Sequence, residues 1–394
     1  MKSKTILKLA LISIIIGGIS GLFIGIFLIL LEKAVAFNLK YGFLIFILPL
    51  SGILMTFLYS KYGGNSQKGN NIIIENINGS KEEIKFIMAP LVFLGTVLTH
   101  LFGGSVGREG TGVQIGGTIG NSLSKALKSS EEEKKILLIS GVAAGFSSVF
   151  GTPLTGTIFA LEVSKIGSLS YDSMIPAITS AIVGNSVVKL LGVKHSHYRI
   201  PPVEFINLIN TAKVIILAIC FGLASRLFVY MTHWFKEKLI KYCKNQYLKI
   251  FVGGSLMVLA TLIIGTNLYN NLSLGLLSDA FDGKVPYLAF IIKLILTTLC
   301  LGAGYQGGEV TPLFVIGATL GATLSHILYL PFAFSAALGL VGVFSGATNA
   351  PIACFMMYLE LFGANNAIFA MLVCMIAVFV SGHKGIYAAQ LWEK

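Results

Sequence analysis

The pentapeptide Gly107-Arg108-Glu109-Gly110-Thr111 returns two hundred residues later as Gly307-Gly308-Glu309-Val310-Thr311, and an apolar stretch follows each copy. The likeness continues downstream. Glu109 is followed 44 residues later by a ten-residue span from Pro153 to Glu162, and Glu309 is followed 42 residues later by a ten-residue span from Pro351 to Glu360. Glycine-punctuated segments, Gly141 to Gly145 and Gly342 to Gly346, precede the two prolines. The same elements in the same order argue for a duplication. Read this way, two glycine-flanked carboxylates stand at matching points of a repeated unit. Duplicated halves with short, glycine-interrupted apolar segments mark many transporters, whose sites form where broken helices meet near the bilayer midplane.

The surroundings of the repeat place it in lipid. Hydrophobic residues make up 55% of the 394, charged ones 12%, and mean hydropathy is +0.83, too little polar surface to cover a water-soluble core. The expected fold class is an all-α polytopic membrane protein of two inverted repeats with tilted and broken helices. Apolar stretches at about 6–31, 41–59, 85–102, 174–192, 211–231, 249–266, 287–303 and 364–381 approach or exceed the ~17 to 25 residues of a span. Segments 112–127, 136–149, 153–163 and 350–362 are shorter and predict half-helices or re-entrant pieces enclosed by protein. The run after Lys2, Lys4 and Lys8 is too long for a signal-peptide core and continues into Glu32 and Lys33, so it predicts a retained first helix with a cytoplasmic N-terminus in a multi-pass cell-membrane protein.

A net charge of +12 invites a nucleic-acid reading. The basic residues, however, are scattered over loops such as 125–135 and 236–249 without an aromatic platform, and the positive-inside rule accounts for them. The same excess raises the local anion concentration at a pore mouth. Cys220, Cys243, Cys300, Cys354 and Cys374 are far apart and mostly within apolar runs, the pattern of small buried hydrophobes. His195 and His197 lack partners at metal spacing; neither a metal nor a cofactor is implied.

Glu109 is the first candidate for chemistry. It sits among Gly103, Gly104, Gly107, Gly110 and Gly112 at the start of a predicted helix, where free N–H groups and the positive end of the helix dipole attract either the carboxylate or a soluble anion in its place. A side chain that leaves such a seat on protonation couples proton movement to anion movement. The plainer alternative is a helix-capping glutamate, or one paired with Arg108. Glu309, before Thr311 and Pro312 at another helix start, is either a proton stop or a static anchor. Glu162 and Glu360, at the ends of their apolar spans, are expected to be structural. His100 and His383 are either proton relays or packing residues. An intramembrane enzyme using the two glutamates as an acid-base pair would need a nucleophile or metal set beside them, and no such motif is present.

At these residues the chain resembles the CLC family of anion channels and proton-coupled anion exchangers. Gly107 to Thr111 is similar to its GREGP motif, and Gly308 to Pro312 stands where the family has GxFxP. The departures are specific: Gly69-Asn70-Asn71 replaces GSGIP, Thr111 replaces a proline, Val310 replaces an aromatic residue, and Val163 follows Glu162 where chloride exchangers often carry a second glutamate. Together they resemble the fluoride-exporting branch. The resemblance implies a homodimer with one anion pathway per subunit that exports fluoride in exchange for protons, with a chloride-proton exchanger or a passive fluoride or chloride channel as alternatives. It implies Glu109 as the gating glutamate, Glu309 as its proton partner or anchor, and an anion path touching Gly69, Asn70, Asn71, Arg108, Gly110, Val310, Thr311 and Tyr387. Asn70 would offer fluoride two N–H donors where serine offers one O–H, although an Asn-Asn pair is also an ordinary helix cap. The halves, 1–200 and 201–394, would divide at Arg199-Ile200-Pro201-Pro202, with no soluble regulatory domain after Tyr387.

Overall fold

The computed structural model describes residues 3–195, 200 and 207–392. Its first half contains α1 (Ser3–Lys40), α2 (Leu48–Leu58), α3 (Asn70–Ile77), α4 (Met88–Leu101), α5 (Glu109–Ala126), α6 (Glu131–Phe150), α7 (Pro153–Glu162) and α8 (Met174–Leu190). The second half contains α9 (Leu208–Tyr242), α10 (Gln246–Ile264), α11 (Leu274–Phe281), α12 (Ala289–Ala303), α13 (Val310–Leu328), α14 (Phe332–Thr348), α15 (Pro351–Phe362) and α16 (Ala367–Ser381). A two-residue parallel pair, β1 (Lys165–Ile166) with β2 (Leu391–Trp392), ties the C-terminal segment to the end of α7. The expected boundary at 199–202 lies outside the described residues except for Ile200.

The fold is all-α and polytopic, as composition requires. Among the described residues, six helical stretches are long and apolar enough to cross a bilayer: Lys4–Lys40, Gly42–Lys68, Tyr171–Leu190, Leu208–Tyr242, Gln246–Ile264 and Val310–Leu328. On α1 one face (Leu11, Ile15, Leu22, Ile26) is exposed while Leu9, Ile16, Ile24 and Phe27 are buried. A helix apolar on both faces has lipid on one side and protein on the other.

Span lengths differ from expectation at both extremes. The stretches expected as full spans at 85–102, 287–303 and 364–381 fold as helices of 14, 15 and 15 residues. Conversely, α5 and α6, expected as fragments, reach 18 and 20 residues. Their extra turns are ones that hydropathy does not register: glycine-rich Glu109 to Gly112 opens α5, and a capping box between Ser130 and Glu133 starts α6 on three consecutive glutamates. The short helices α7 and α15 are present as expected, each with proline in its first turn.

Close glycine contacts build the inner layer. A β-carbon on Gly116 would collide with the carbonyl of Gly141, joining α5 to α6, and one on Gly317 would collide with the carbonyl of Gly339, joining α13 to α14. Without a side chain these backbones approach closely, which is how helices associate in lipid. Between the pairs, α7 and α15 run antiparallel and cap one another. Glu162 accepts hydrogen bonds from the amides of Ile352 (3.2 Å) and Ala353 (2.8 Å), and Glu360 accepts from those of Leu154 (2.9 Å) and Thr155 (2.7 Å). Both carboxylates expected to be structural thus satisfy orphan N–H groups at helix starts.

Candidate functional site

The two repeated motifs meet at one point. Gly107 and Gly308 form an antiparallel bridge, N to O at 2.6 Å one way and 2.8 Å the other, which turns the starts of α5 and α13 toward each other. A β-carbon on Gly308 would lie 2.7 Å from the amide nitrogen of Gly110 and 2.8 Å from that of Glu109, so only glycine lets the α5 N-terminus come this close.

This bridge corrects the register read from sequence. Pairing Gly107 with Gly308 matches Glu109 to Val310, the first residues of their helices, and Arg108 to Glu309, their N-caps. The inner glycines agree, Gly116 with Gly317 and Gly120 with Gly321. The carboxylates therefore occupy neighbouring positions of the repeat, not equivalent ones. Two aligned Gly-x-Glu strings had pulled the sequence match over by one residue.

The offset gives the two acids different surroundings. Glu109 is fully buried and reaches across the bridge to the start of α13. Its Oε2 accepts from the backbone N–H of Thr311 (3.0 Å) and of Arg108 (3.0 Å), and its Oε1 accepts from the Thr311 hydroxyl. The carboxylate occupies the N-terminal end of another helix, a place that suits any small anion. Arg108 is half-buried, and its backbone serves Glu109. Glu309 has a buried Oε2 with no hydrogen-bond partner. An ideal β-carbon on Gly110 would lie 3.0 Å from the Asn70 side-chain nitrogen and 3.6 Å from Glu309 Oε2, so Asn70, Gly110 and Glu309 converge. Val310 and Thr311 are buried in the first turn of α13.

Asn70 opens α3 as its first residue. The N-cap is Gly69, and no side chain caps this helix, so the capping alternative for Asn70 does not apply. Asn70 lines a cavity of about 10 Å³ together with Tyr387, Phe159 and Val113. That is room for roughly one water-sized body. Its apolar walls withhold competing hydrogen bonds, and the buried Asn70 Oδ1 has no partner. Tyr387 is held on a strap. Ala389 N–H donates to the Asn71 side chain (3.0 Å), Ile386 N–H to Ala347 O (2.8 Å) and Leu391 N–H to Ser164 O (3.1 Å). Asn71, expected beside the anion, thus turns its side-chain oxygen to the strap.

Sequence reasoning missed several participants. Phe159, Val113 and Ile73 wall the cavity but look like ordinary members of apolar runs. Gln114 sits one turn into α5, its amide nitrogen 3.5 Å from an ideal β-carbon on Gly69; an amide side chain among the glycines of the first turns of α5 was the available signal. His100 is fully buried and its ring spans the carbonyls of Thr96 (2.8 Å) and Val106 (3.2 Å), tying α4 to the loop before Gly107. His383 is exposed and stacks edge-on against Trp392, away from any relay; His197 lies outside the described residues. All five cysteines are unpaired, and among the described residues no group of His, Cys, Asp or Glu is placed to hold a metal.

With this geometry in place, comparison with known proteins is decisive on one point. Residues 51–382 match the family model described as voltage-gated chloride channel. The chain belongs to this family, the CLC proteins. Its relatives include a chloride/fluoride channel protein of Pseudomonas syringae pv. tomato, 39% identical over 397 residues that cover 98% of this chain and 86% of the relative. Among solved structures, a CLC-type fluoride/proton antiporter superposes with a TM-score of 0.97 at 33% identity, over 100% of both chains. A slow cyanobacterial Cl-/H+ antiporter shares the fold, with a TM-score of 0.80 at 19% identity over 96% of each chain. CLC membership and the all-α architecture agree.

Proposed function

We propose that this CLC protein exports fluoride from the cell in exchange for protons. The observation that carries the reading is the Glu109 carboxylate seated on the Thr311 amide and hydroxyl at the start of α13. Ionised, it fills a helix-end anion site and closes the pathway. Protonated, it loses the charge that holds it there, and the vacated donors are free to take a fluoride ion. One group that is either proton carrier or plug obliges the two ions to alternate.

In this scheme fluoride meets Gly69, Asn70 and the first α3 amide at Asn71 on one side, and Gly110, Val310, Thr311 and the backbone of Arg108 on the other, with the Tyr387 hydroxyl between them. The cavity at Asn70 and Tyr387 holds one ion of about the size of water and disfavours the larger chloride, which remains a slower substrate. Glu309, with an unpartnered oxygen beside Gly110, takes the proton from Glu109 or holds it on arrival. The relatives carry the choice of ion: one is named for chloride and fluoride, and another is a fluoride/proton antiporter. The work is transport, without bond chemistry or cofactor.

Orientation follows from charge. Contacts of Lys8 with Glu133, Lys125 with Glu83, and Ser60 with Tyr247 gather the N-terminus, the α5–α6 turn and the α9–α10 hairpin at one end, and this end carries most of the lysines. By the positive-inside rule it is cytoplasmic. The two halves divide near residue 200, and two such subunits form the homodimer, each with its own pathway.

Purified protein in liposomes loaded with fluoride decides the matter. Exchange predicts that the lumen acidifies as fluoride leaves, that an imposed proton gradient drives uphill fluoride movement, and that Glu109→Gln abolishes the proton flux. Fluoride efflux indifferent to a proton gradient would establish a channel in place of the exchanger.

A further inference from the structure

A second, larger cavity of about 300 Å³ opens among the C-terminal end of α2, the α9–α10 hairpin and the end of α12. Tyr59, Gln67, Lys236, Gln246, Lys249 and Gln306 supply its polar lining, which contains no carboxylate. Three lysines at this end of the bundle are paired with acids, Lys68 with Glu75 and Glu82, Lys125 with Glu83 and Lys8 with Glu133. Lys236 and Lys249 have no acidic partner among the described residues. Lys249 is drawn inward by the end of α12, its ammonium 3.5 Å from an ideal β-carbon on Gly304, where the last carbonyls of the helix favour a cation.

The cavity touches both loops that carry the exchange site. Gln67 lies three residues before Asn70, and Gln306 three before Glu309; the Tyr59 hydroxyl bonds the Gln306 side chain at 3.1 Å, joining the cavity wall to the second loop. Two ammonium groups, amide N–H donors and no acid make a basin for a small anion. At about 30 Å³ per water it admits an ion with its hydration shell, whereas the cavity at Asn70 strips that shell.

We propose that this basin, lying at the end assigned to the cytoplasm, is an antechamber that collects hydrated fluoride through Lys236 and Lys249 before the ion is desolvated at Asn70. The assignment rests on the exchange reading for the identity of the ion, while the basin's affinity for anions follows from its lining. It raises the local concentration of the exported ion without entering the coupling step, so it acts on apparent affinity and leaves maximal rate and stoichiometry alone.

The test compares the wild type with Lys236→Gln, Lys249→Gln, the double variant and the two Lys→Arg variants, by initial fluoride efflux in liposomes at low and high ionic strength. In ~20 mM salt the double Gln variant should need about three- to tenfold more fluoride for half-maximal efflux, and the difference should vanish near ~0.5 M, where the Debye length falls to a few ångström. The maximal rate and the fluoride-to-proton ratio should hold, and the Arg variants should match the wild type. An unchanged half-saturation at low salt, or an effect that survives high salt, overturns the antechamber and leaves the lysines as counter-charges to the end of α12. Lys236 is exposed, so its variants do not depend on core packing. If the wild type moves no fluoride at all, the exchange reading fails instead. Line broadening of the fluoride-19 resonance by detergent-solubilised wild type but not by the double variant then still reports the basin, and equal broadening sinks it.

Discussion

Removing the Glu162 carboxylate tests how the halves are joined. Glu162 is 4% exposed and holds the amides of Ile352 and Ala353 at the start of α15. Glu162→Ala leaves two N–H groups without acceptors in a largely buried site, at about 1 to 3 kcal/mol each, and forfeits a charge–dipole attraction of about 0.3 to 1 kcal/mol. The sum is about 2 to 7 kcal/mol. Glu162→Gln keeps an acceptor oxygen and loses the charge, so about 1 to 2 kcal/mol is expected. Glu360→Ala removes a cap of similar geometry at Leu154 and Thr155, but its surroundings are half open; water replaces part of what is lost, and the cost is about 1 kcal/mol. Thermal unfolding in detergent, in a background with Cys220, Cys243 and Cys300 replaced by alanine and followed by a thiol-reactive dye that reaches the buried Cys354 and Cys374 as α15 and α16 open, reads the order. The midpoint should fall by roughly 2 to 8 °C for Glu162→Ala, and by less for Glu162→Gln and Glu360→Ala. Because both caps clamp one helix pair, the double alanine variant should cost less than the sum of the singles. A Glu162→Ala midpoint within about 1 °C of wild type, or one equal to that of Glu360→Ala, would refute the capping argument.

Thr311→Val removes the hydroxyl that Glu109 accepts from and keeps the amide, a loss of about 1.5 to 3 kcal/mol for a bond to a charged group; fluoride flux measured beside proton flux should become partly uncoupled, and an unchanged ratio would deny Thr311 its role as the seat. Asn70→Ser exchanges two N–H donors for one O–H, and the fluoride-to-chloride rate ratio should drop about tenfold; a ratio unaffected by this change places selectivity elsewhere. Gly317→Val drives a side chain into the Gly339 carbonyl, so no monodisperse protein should elute on size exclusion. Gly18→Ala, with nothing within 4 Å of its added carbon, is the neutral control for that experiment.

How much of this was legible in the sequence varied with the kind of signal. Apolar spans, the helix starts at Pro153 and Pro351 and the place of Glu109 at a helix start all follow from local patterns, because hydropathy, proline geometry and a glycine-flanked acid act over a few residues. Helix lengths were less legible. A capping box lengthens α6 through Glu131 to Glu133, residues that a hydropathy window reads as loop. The roles of Glu162 and Glu360 as mutual caps could not be seen, since each carboxylate serves amides about 190 to 206 residues away. Tyr387 drew notice only through family resemblance. Its strap depends on backbone partners at Ala347 and Ser164, which carry no side-chain signature.

The one-residue offset between the two acids ties these strands together. Had Glu309 matched Glu109 in register, a two-fold arrangement would have given each carboxylate the other's helix end, and two equivalent ionised acids would have faced one another across the Gly107–Gly308 bridge. The structure instead places Val310 at the position matching Glu109, so α13 carries no acid of its own there, and Glu109 takes the Thr311 amide. Glu309, displaced to the N-cap, keeps an oxygen unbonded beside Gly110. Under the proposed exchange, the offset lets Glu109 alone take the seat at Thr311 while Glu309 stands beside Gly110 with an unbonded oxygen, so the broken symmetry of the repeat divides the work between the two acids.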